Sequence, residues 1–104
     1  MSVSPSLIEK ARREYPSGAS VGGTPSFEIF ERGPLDAAVQ FFGRSFDQAP
    51  TPIDGVEAIR QWTTWSVIFG PLIFYAVRTG DRIEVSDYLY QPDYWDVVGE
   101  DPVD

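Results

Sequence analysis

The sequence contains no cysteine. Disulfides, thiolate nucleophiles and cysteine-ligated metals are therefore excluded. Histidine is also absent, which removes the side chain that most often moves protons near neutral pH and most often holds transition metals. Without an imidazole, no serine or threonine can be activated in a Ser-His-Asp arrangement. Lysine occurs once, as Lys10. The longest apolar stretch, residues 67–77, is interrupted by Gly70-Pro71 and is too short to span a bilayer. The chain does not open on a charged segment followed by an apolar one, so no signal peptide is read. A cysteine-free chain fits a reducing compartment, and a cytoplasmic location is expected.

The remaining composition is that of a folded chain. Its 104 residues, 42% of them hydrophobic, predict one domain over 1–104 with a single core rather than disorder. Acids outnumber bases by sixteen to eight, for a net charge of −8. The excess is not spread evenly. Residues 81–104 hold Asp81, Glu84, Asp87, Asp93, Asp96, Glu100, Asp101 and Asp104 against one base, Arg82. Phosphates would be repelled, so direct binding to nucleic acid or to an anionic membrane is disfavoured. A basic protein partner is favoured.

Element signals run through the chain. Ser4-Pro5 is a helix start, with a capping hydroxyl followed by a proline at the first helical position. Leu7, Ile8, Ala11 and Tyr15 then share one helical face over 5–15, and Pro16-Ser17-Gly18 stops it. This helix is expected to dock separately from the rest. Residues 16–26 read as a flexible, glycine-rich loop. Residues 27–31 read as a short strand, ended by Gly33-Pro34. Leu35, Ala38, Val39, Phe42 and Phe46 have helical spacing, although residues 37–42 as a strand remain an alternative. Asp54 and Glu57 have the spacing of a capping box, predicting a helix over 54–64. Residues 67–69 and 72–77 read as strands, the second apolar on both sides and so covered on both faces. Thr79-Gly80-Asp81 is a hairpin turn, and 82–90 is the return strand. By simple alternation Ile83, Val85, Asp87 and Leu89 point one way, and Glu84, Ser86, Tyr88 and Tyr90 the other. Residues 93–98 read as a helical turn or extended segment, and 99–104 as a frayed tail. The expected fold class is α+β: a small antiparallel β-sheet with two to three packed helices, in the order α-β-α-α-β-β-β.

Over residues 26–90 this order is β-α-α-β-β-β, and Gly70 to Val85 reads GPLIFYAVRTGDRIEV. That run resembles the aromatic-apolar strand, short turn and apolar strand of the RelE/ParE toxin family. The resemblance implies a shared topology and, as an alternative function, a toxin-type domain acting on RNA or a protein target, with Arg78 and Arg82 as the charged groups near the hairpin. The family's clustered basic residues have no counterpart here, so no catalytic residue is carried over.

Few constellations offer chemistry. The pairs Glu28/Glu31 and Asp93/Asp96 are carboxylates three apart, but a glycosidase needs its pair held across a cleft. Asp93, Asp96, Glu100 and Asp101 could offer oxygen ligands to a hard cation, yet the EF-hand spacing is missing. No metal, cofactor or catalytic residue is assigned, and the chain reads as a non-enzymatic binding protein of the inhibitor, immunity or nucleic-acid-mimic kind. Its partner-binding residues are expected to be Glu84, Asp87, Tyr88, Tyr90, Asp93, Tyr94, Trp95 and Asp96, where aromatic contact area is interleaved with carboxylates. The plainer reading is that Tyr88, Tyr90 and Trp95 are core residues and the acids only solubilise the surface. A third reading is a structural subunit of an oligomer.

Overall fold

The computed structural model describes residues 1–16 and 25–91. The expectations for residues 17–24 and 92–104, including Asp93, Tyr94, Trp95 and Asp96, lie outside the described residues.

The chain is a small α+β fold in which helices cover one face of a four-stranded sheet. It begins with a two-residue strand, β1 (Ser2–Val3), and helix α1 (Pro5–Glu14). The expected cap is present: the Ser4 hydroxyl accepts from the Ser6 N–H, with Pro5 in the first turn. The helix does not dock separately. Its Leu7 and Ala11 are buried in the common core, and the Ser4 N–H donates to the Val85 carbonyl.

Residues 27–30 are helical, not a strand. Helix α2 (Phe27–Phe30) is capped by Ser26, whose hydroxyl accepts from the Ile29 N–H. Phe27 and Phe30 are three apart and both buried, the spacing of one helical face rather than of a strand. Gly33-Pro34 does not end the helical path either. A π-turn (Glu31–Leu35) carries it through Pro34 into α3 (Asp36–Ser45). Proline lacks an N–H and crowds the preceding turn, and a locally widened turn is one way a helix passes such a residue. In α3, Ala38 and Phe42 are buried, as the helical spacing requires. A 3-10 turn (Phe46–Gln48) closes this path.

The expected helix over 54–64 is not formed. Gly55 has a φ of 84°, the Val56 N–H donates to the Ile53 carbonyl in a turn, and strand β2 (Ile59–Ser66) follows. The β-branched and aromatic content of IRQWTTWS outweighs the capping-box spacing. Strand β3 (Gly70–Thr79) is continuous, so the two expected strands are replaced by one, and 67–69 form the turn before it. The hairpin to β4 (Arg82–Tyr90) turns at Gly80, with φ 66°.

The strand order is β1-β4-β3-β2, and the sheet is mixed rather than antiparallel, because β1 lies parallel to β4. Strand alternation sends Leu72, Phe74 and Ala76 of β3 towards the helices, where all three are buried. They meet Phe30, Phe42, Val85 and Tyr88 in one core. Burying a phenylalanine of this kind contributes roughly 2–3 kcal/mol. The aromatics interlock: Phe30 lies 4.9 Å from Tyr88 and 6.1 Å from Phe74, centroid to centroid. Towards the other edge Trp62 stacks on Phe41 at 4.8 Å.

β3 was expected to be covered on both faces. Among the described residues it is covered on one. Ile73, Tyr75 and Val77 point away from the helices, are half-buried, and take no part in the core.

Candidate interaction surface on strand β4

Strand β4 carries four of the residues expected to bind a partner, and a bulge decides where each one points. Ala76 pairs with Val85 but Tyr75 pairs with Asp87, so Ser86 is an extra residue in the ladder. A bulge of this kind inverts the alternation beyond it. Ile83 and Val85 face the helices before it, and Tyr88 does so after it. Glu84 and Asp87 therefore share the open face, with Leu89. Simple alternation had placed Asp87 with Ile83 and Val85, and Tyr88 with Glu84. The Ser86 hydroxyl donates to the Tyr75 carbonyl at 3.2 Å.

Tyr88 is not at the surface. It is fully buried, and its hydroxyl donates to the Glu14 carboxylate at the end of α1. Burial first, then this hydrogen bond and the nearby carboxylate charges, push its pKa well above the ordinary tyrosine value. Tyr15, beside it, is also raised, by burial and then by the Glu14 charge. Tyr90 is 57% exposed. Its ring lies against Gly70, 3.2 Å from where a Cβ would sit. Glu84 is half-buried opposite Val77 and next to Ser2. Asp87 is exposed, but it accepts from the Tyr88 N–H and from the Lys10 ammonium at 3.2 Å. The structure thus brings Glu84 and Asp87 to one face, sets Tyr90 at the end of the strand, and places Tyr88 inside.

Lys10 has a second duty that its sequence position did not show. It also donates to the Tyr88 carbonyl and lies over the Tyr88 ring. Beside the short β1, it shields the outer edge of β4, a common use of lysine at a sheet margin. On the far edge the Gln61 N–H of β2 donates to the Pro50 carbonyl.

Most bases are engaged within the protein. Arg13 pairs with Glu9, and Arg78 with Asp47. Arg60 is buried and donates to the carbonyls of Phe46, Asp47, Ala49 and Glu57. Arg78 and Arg82, the charged pair of the toxin-type reading, face opposite sides of the sheet, since Arg78 pairs with Ile83 and Arg82 with Thr79.

Nothing else in the described residues assembles chemistry. No group of three carboxylates is placed to hold a metal ion there. A groove of about 540 Å³ lies between α3 and β2, lined by Ala37, Gln40, Phe41, Arg44, Ser45 and Trp62. Its one ionisable side chain is Arg44, and no acid faces it. Glu28 and Glu31 lie on successive turns of helical surface, not across a cleft. No helix among the described residues is long and apolar enough to cross a membrane.

The residues that sequence reading missed are Trp65, Ile73, Tyr75 and Val77 on the open face. Their signal was present: β3 is apolar at every position from 71 to 77, so one face must end in water, against another element, or against a partner. Comparison with protein-family models, with curated proteins and with solved structures returned no match.

Proposed function

We propose that this protein is a non-enzymatic acidic binding protein that engages a basic protein partner, in the manner of an inhibitor, immunity factor or nucleic-acid mimic. One observation carries the reading: residues 81–104 hold eight acids and one base. The disposition of the bases supports it, because Lys10, Arg13, Arg60 and Arg78 are committed to acids or carbonyls of the same chain. Glu84, Asp87 and Tyr90 would contribute from β4, together with Asp93, Tyr94, Trp95 and Asp96. Carboxylates so placed attract arginine and lysine and speed encounter at low salt. The absence of histidine and cysteine from the whole chain supports a binding role over catalysis.

The test is affinity capture from the native host lysate at low salt and again at about 0.5 M salt, where exposed charge pairs are screened. Capture of a basic protein at low salt, diminished at high salt and lost when Asp93, Asp96, Glu100, Asp101 and Asp104 are all neutralised to amides, is the expected result. Capture of RNA or ribosomes, or of acidic proteins unaffected by salt, overturns it.

A further inference from the structure

The two edges of the sheet are finished differently. The outer edge of β4 is guarded by β1 and Lys10. The edge of β2 has no such guard. Ile59–Ser66 is eight residues long and contains no lysine, acid or proline. Its one charge, Arg60, is buried and turned to carbonyls of its own chain. An unguarded strand edge is a template for another strand. Register tells which groups it offers. The Arg78 N–H donates to the Ala58 carbonyl, and Ile59 sits opposite Val77. The even-numbered residues of β2 therefore bond to β3, and the odd-numbered ones point their main-chain groups outward. Gln61 commits its outward N–H to the Pro50 carbonyl. Thr63 directs its N–H and carbonyl outward beyond that crossing, and among the described residues no main-chain group meets them there.

A groove runs beside this edge. Its first part is the 540 Å³ hollow between α3 and β2, where Phe41 is stacked on Trp62. Across Ala37 it continues as an apolar hollow of about 260 Å³ lined by Pro34, Thr64 and Ile68. Ile29 and Ile68, at that end, are 40% and 61% exposed. The groove is thus apolar at one end and has the exposed Arg44 at the other.

We infer that this groove takes the extended, apolar C-terminal segment of a partner protein, added antiparallel to β2 as a fifth strand. Three observations choose that occupant. The outward main chain of Thr63 calls for an extended segment, which presents N–H and C=O at matching spacing. The hollow beside Ala37 accepts every second side chain of such a segment. Antiparallel pairing runs the added strand from Ile68 towards Trp62, and at Gln61 the Pro50 crossing stands in its path. The strand must end there. A chain terminus ends in a carboxylate, and Arg44, which no acid faces, is the group to receive it. A second copy of β2 fits less well. It continues into the crossing, offers Arg44 no terminal carboxylate, and brings together two chains of charge −8, which is repulsive. The site lies on the helix side of the sheet and is independent of the acidic surface on β4.

The probe is a synthetic peptide of about eight residues, alternating threonine and valine and ending in a free carboxylate; strands of this length are ordinary. One control carries a C-terminal amide. A second is N-methylated at each threonine, the residues whose N–H would face β2. Backbone-amide shifts of the full chain are followed during titration. The free-acid peptide should shift Ala37, Arg44, Thr63 and Thr64 and slow exchange of the Thr63 N–H. Both controls should bind about tenfold more weakly, the loss expected for a charged or paired hydrogen bond. Arg44→Gln should weaken the free-acid peptide about tenfold and leave the amide peptide unchanged. Thr63→Pro, at a position where an edge strand tolerates proline, should weaken both; if it fails to fold, Arg44→Gln on the exposed surface of α3 decides. No binding by the wild-type chain, shifts centred elsewhere, equal binding of either control, or unchanged affinity in a folded variant overturns the inference. A concentration-dependent doubling of mass without peptide, with the Thr63 N–H protected, overturns it in favour of a second copy.

Discussion

Tyr88 and Glu14 are joined across 74 residues of sequence, the buried phenol of β4 donating to the carboxylate that ends α1. A hydrogen bond to a charged acceptor contributes roughly 1.5–3 kcal/mol. Tyr88→Phe keeps the ring against Phe30 and Phe74 and removes only this bond. It should lower stability by about 1.5 kcal/mol in urea melts, with the slope of the transition unchanged. A variant as stable as the wild type would show that the bond contributes nothing.

The same phenol sets an alkaline limit. Tyr88 and Tyr15 both have folded pKa values raised above the ordinary value of 10.0. The unfolded chain releases these protons near pH 10 and the folded chain holds them, so the contribution is whole below that pH and declines as pH rises through it. Each phenol can steepen the loss by up to about 1.4 kcal/mol per pH unit. Stability measured from pH 8 to 11 should fall less steeply in Tyr88→Phe than in the wild type; parallel curves would remove Tyr88 from the account.

Arg60 closes the end of the helical path. Its Nη1 lies 2.9–3.1 Å from the carbonyls of Phe46, Asp47 and Ala49, and its Nε 2.9 Å from that of Glu57. Arg60→Met leaves buried acceptors without a donor and should cost about 3 kcal/mol. Arg60→Lys should recover only part of this, because an ammonium cannot reproduce the planar fork. The Glu57 carboxylate, 3.7 Å away and largely exposed, adds little: Glu57→Gln should change the melting midpoint by less than the error of most scans.

Two glycines with similar backbone angles should respond differently to alanine. Gly80 has open space where a Cβ would project, whereas at Gly70 the Tyr90 ring stands 3.2 Å away. Gly80→Ala should cost about 1 kcal/mol for its left-handed backbone alone. Gly70→Ala should cost more, and the excess should vanish in the Gly70→Ala/Tyr90→Ala pair, measured as a double-mutant cycle.

What could be read from the sequence was whatever rests on one local rule. Ser4-Pro5 starts a helix and Gly80 turns a hairpin because capping and backbone freedom act within a few residues. The errors arose where two periods compete in a short window. Phe27 and Phe30 satisfy a helix, yet FEIF is also rich in strand formers, and only the Ser26 cap decides. Around Trp62 the capping-box spacing of Asp54 and Glu57 suggested a helix, while packing on Phe41 and pairing with Phe74 made a strand. The two residues of β1 carry no signal of their own; they pair because β4 offers an edge. Of the candidate surface, the charge was legible and the direction of each side chain was not. Glu84 and Asp87 stand three apart, an odd separation that should place them on opposite sides of a regular strand.

Ser86 thus acts as a frameshift in three dimensions. Upstream and downstream of it, the same alternating text is decoded with opposite sense. Were Ser86 paired as a regular residue instead of bulged, every letter of β4 would stay in place and yet an aspartate would go to the oily interior and a tyrosine to the water. Selection on a strand like this acts on parity as much as on composition: deletion of Ser86 itself would close the ladder with Asp87 still outside and Tyr88 still inside.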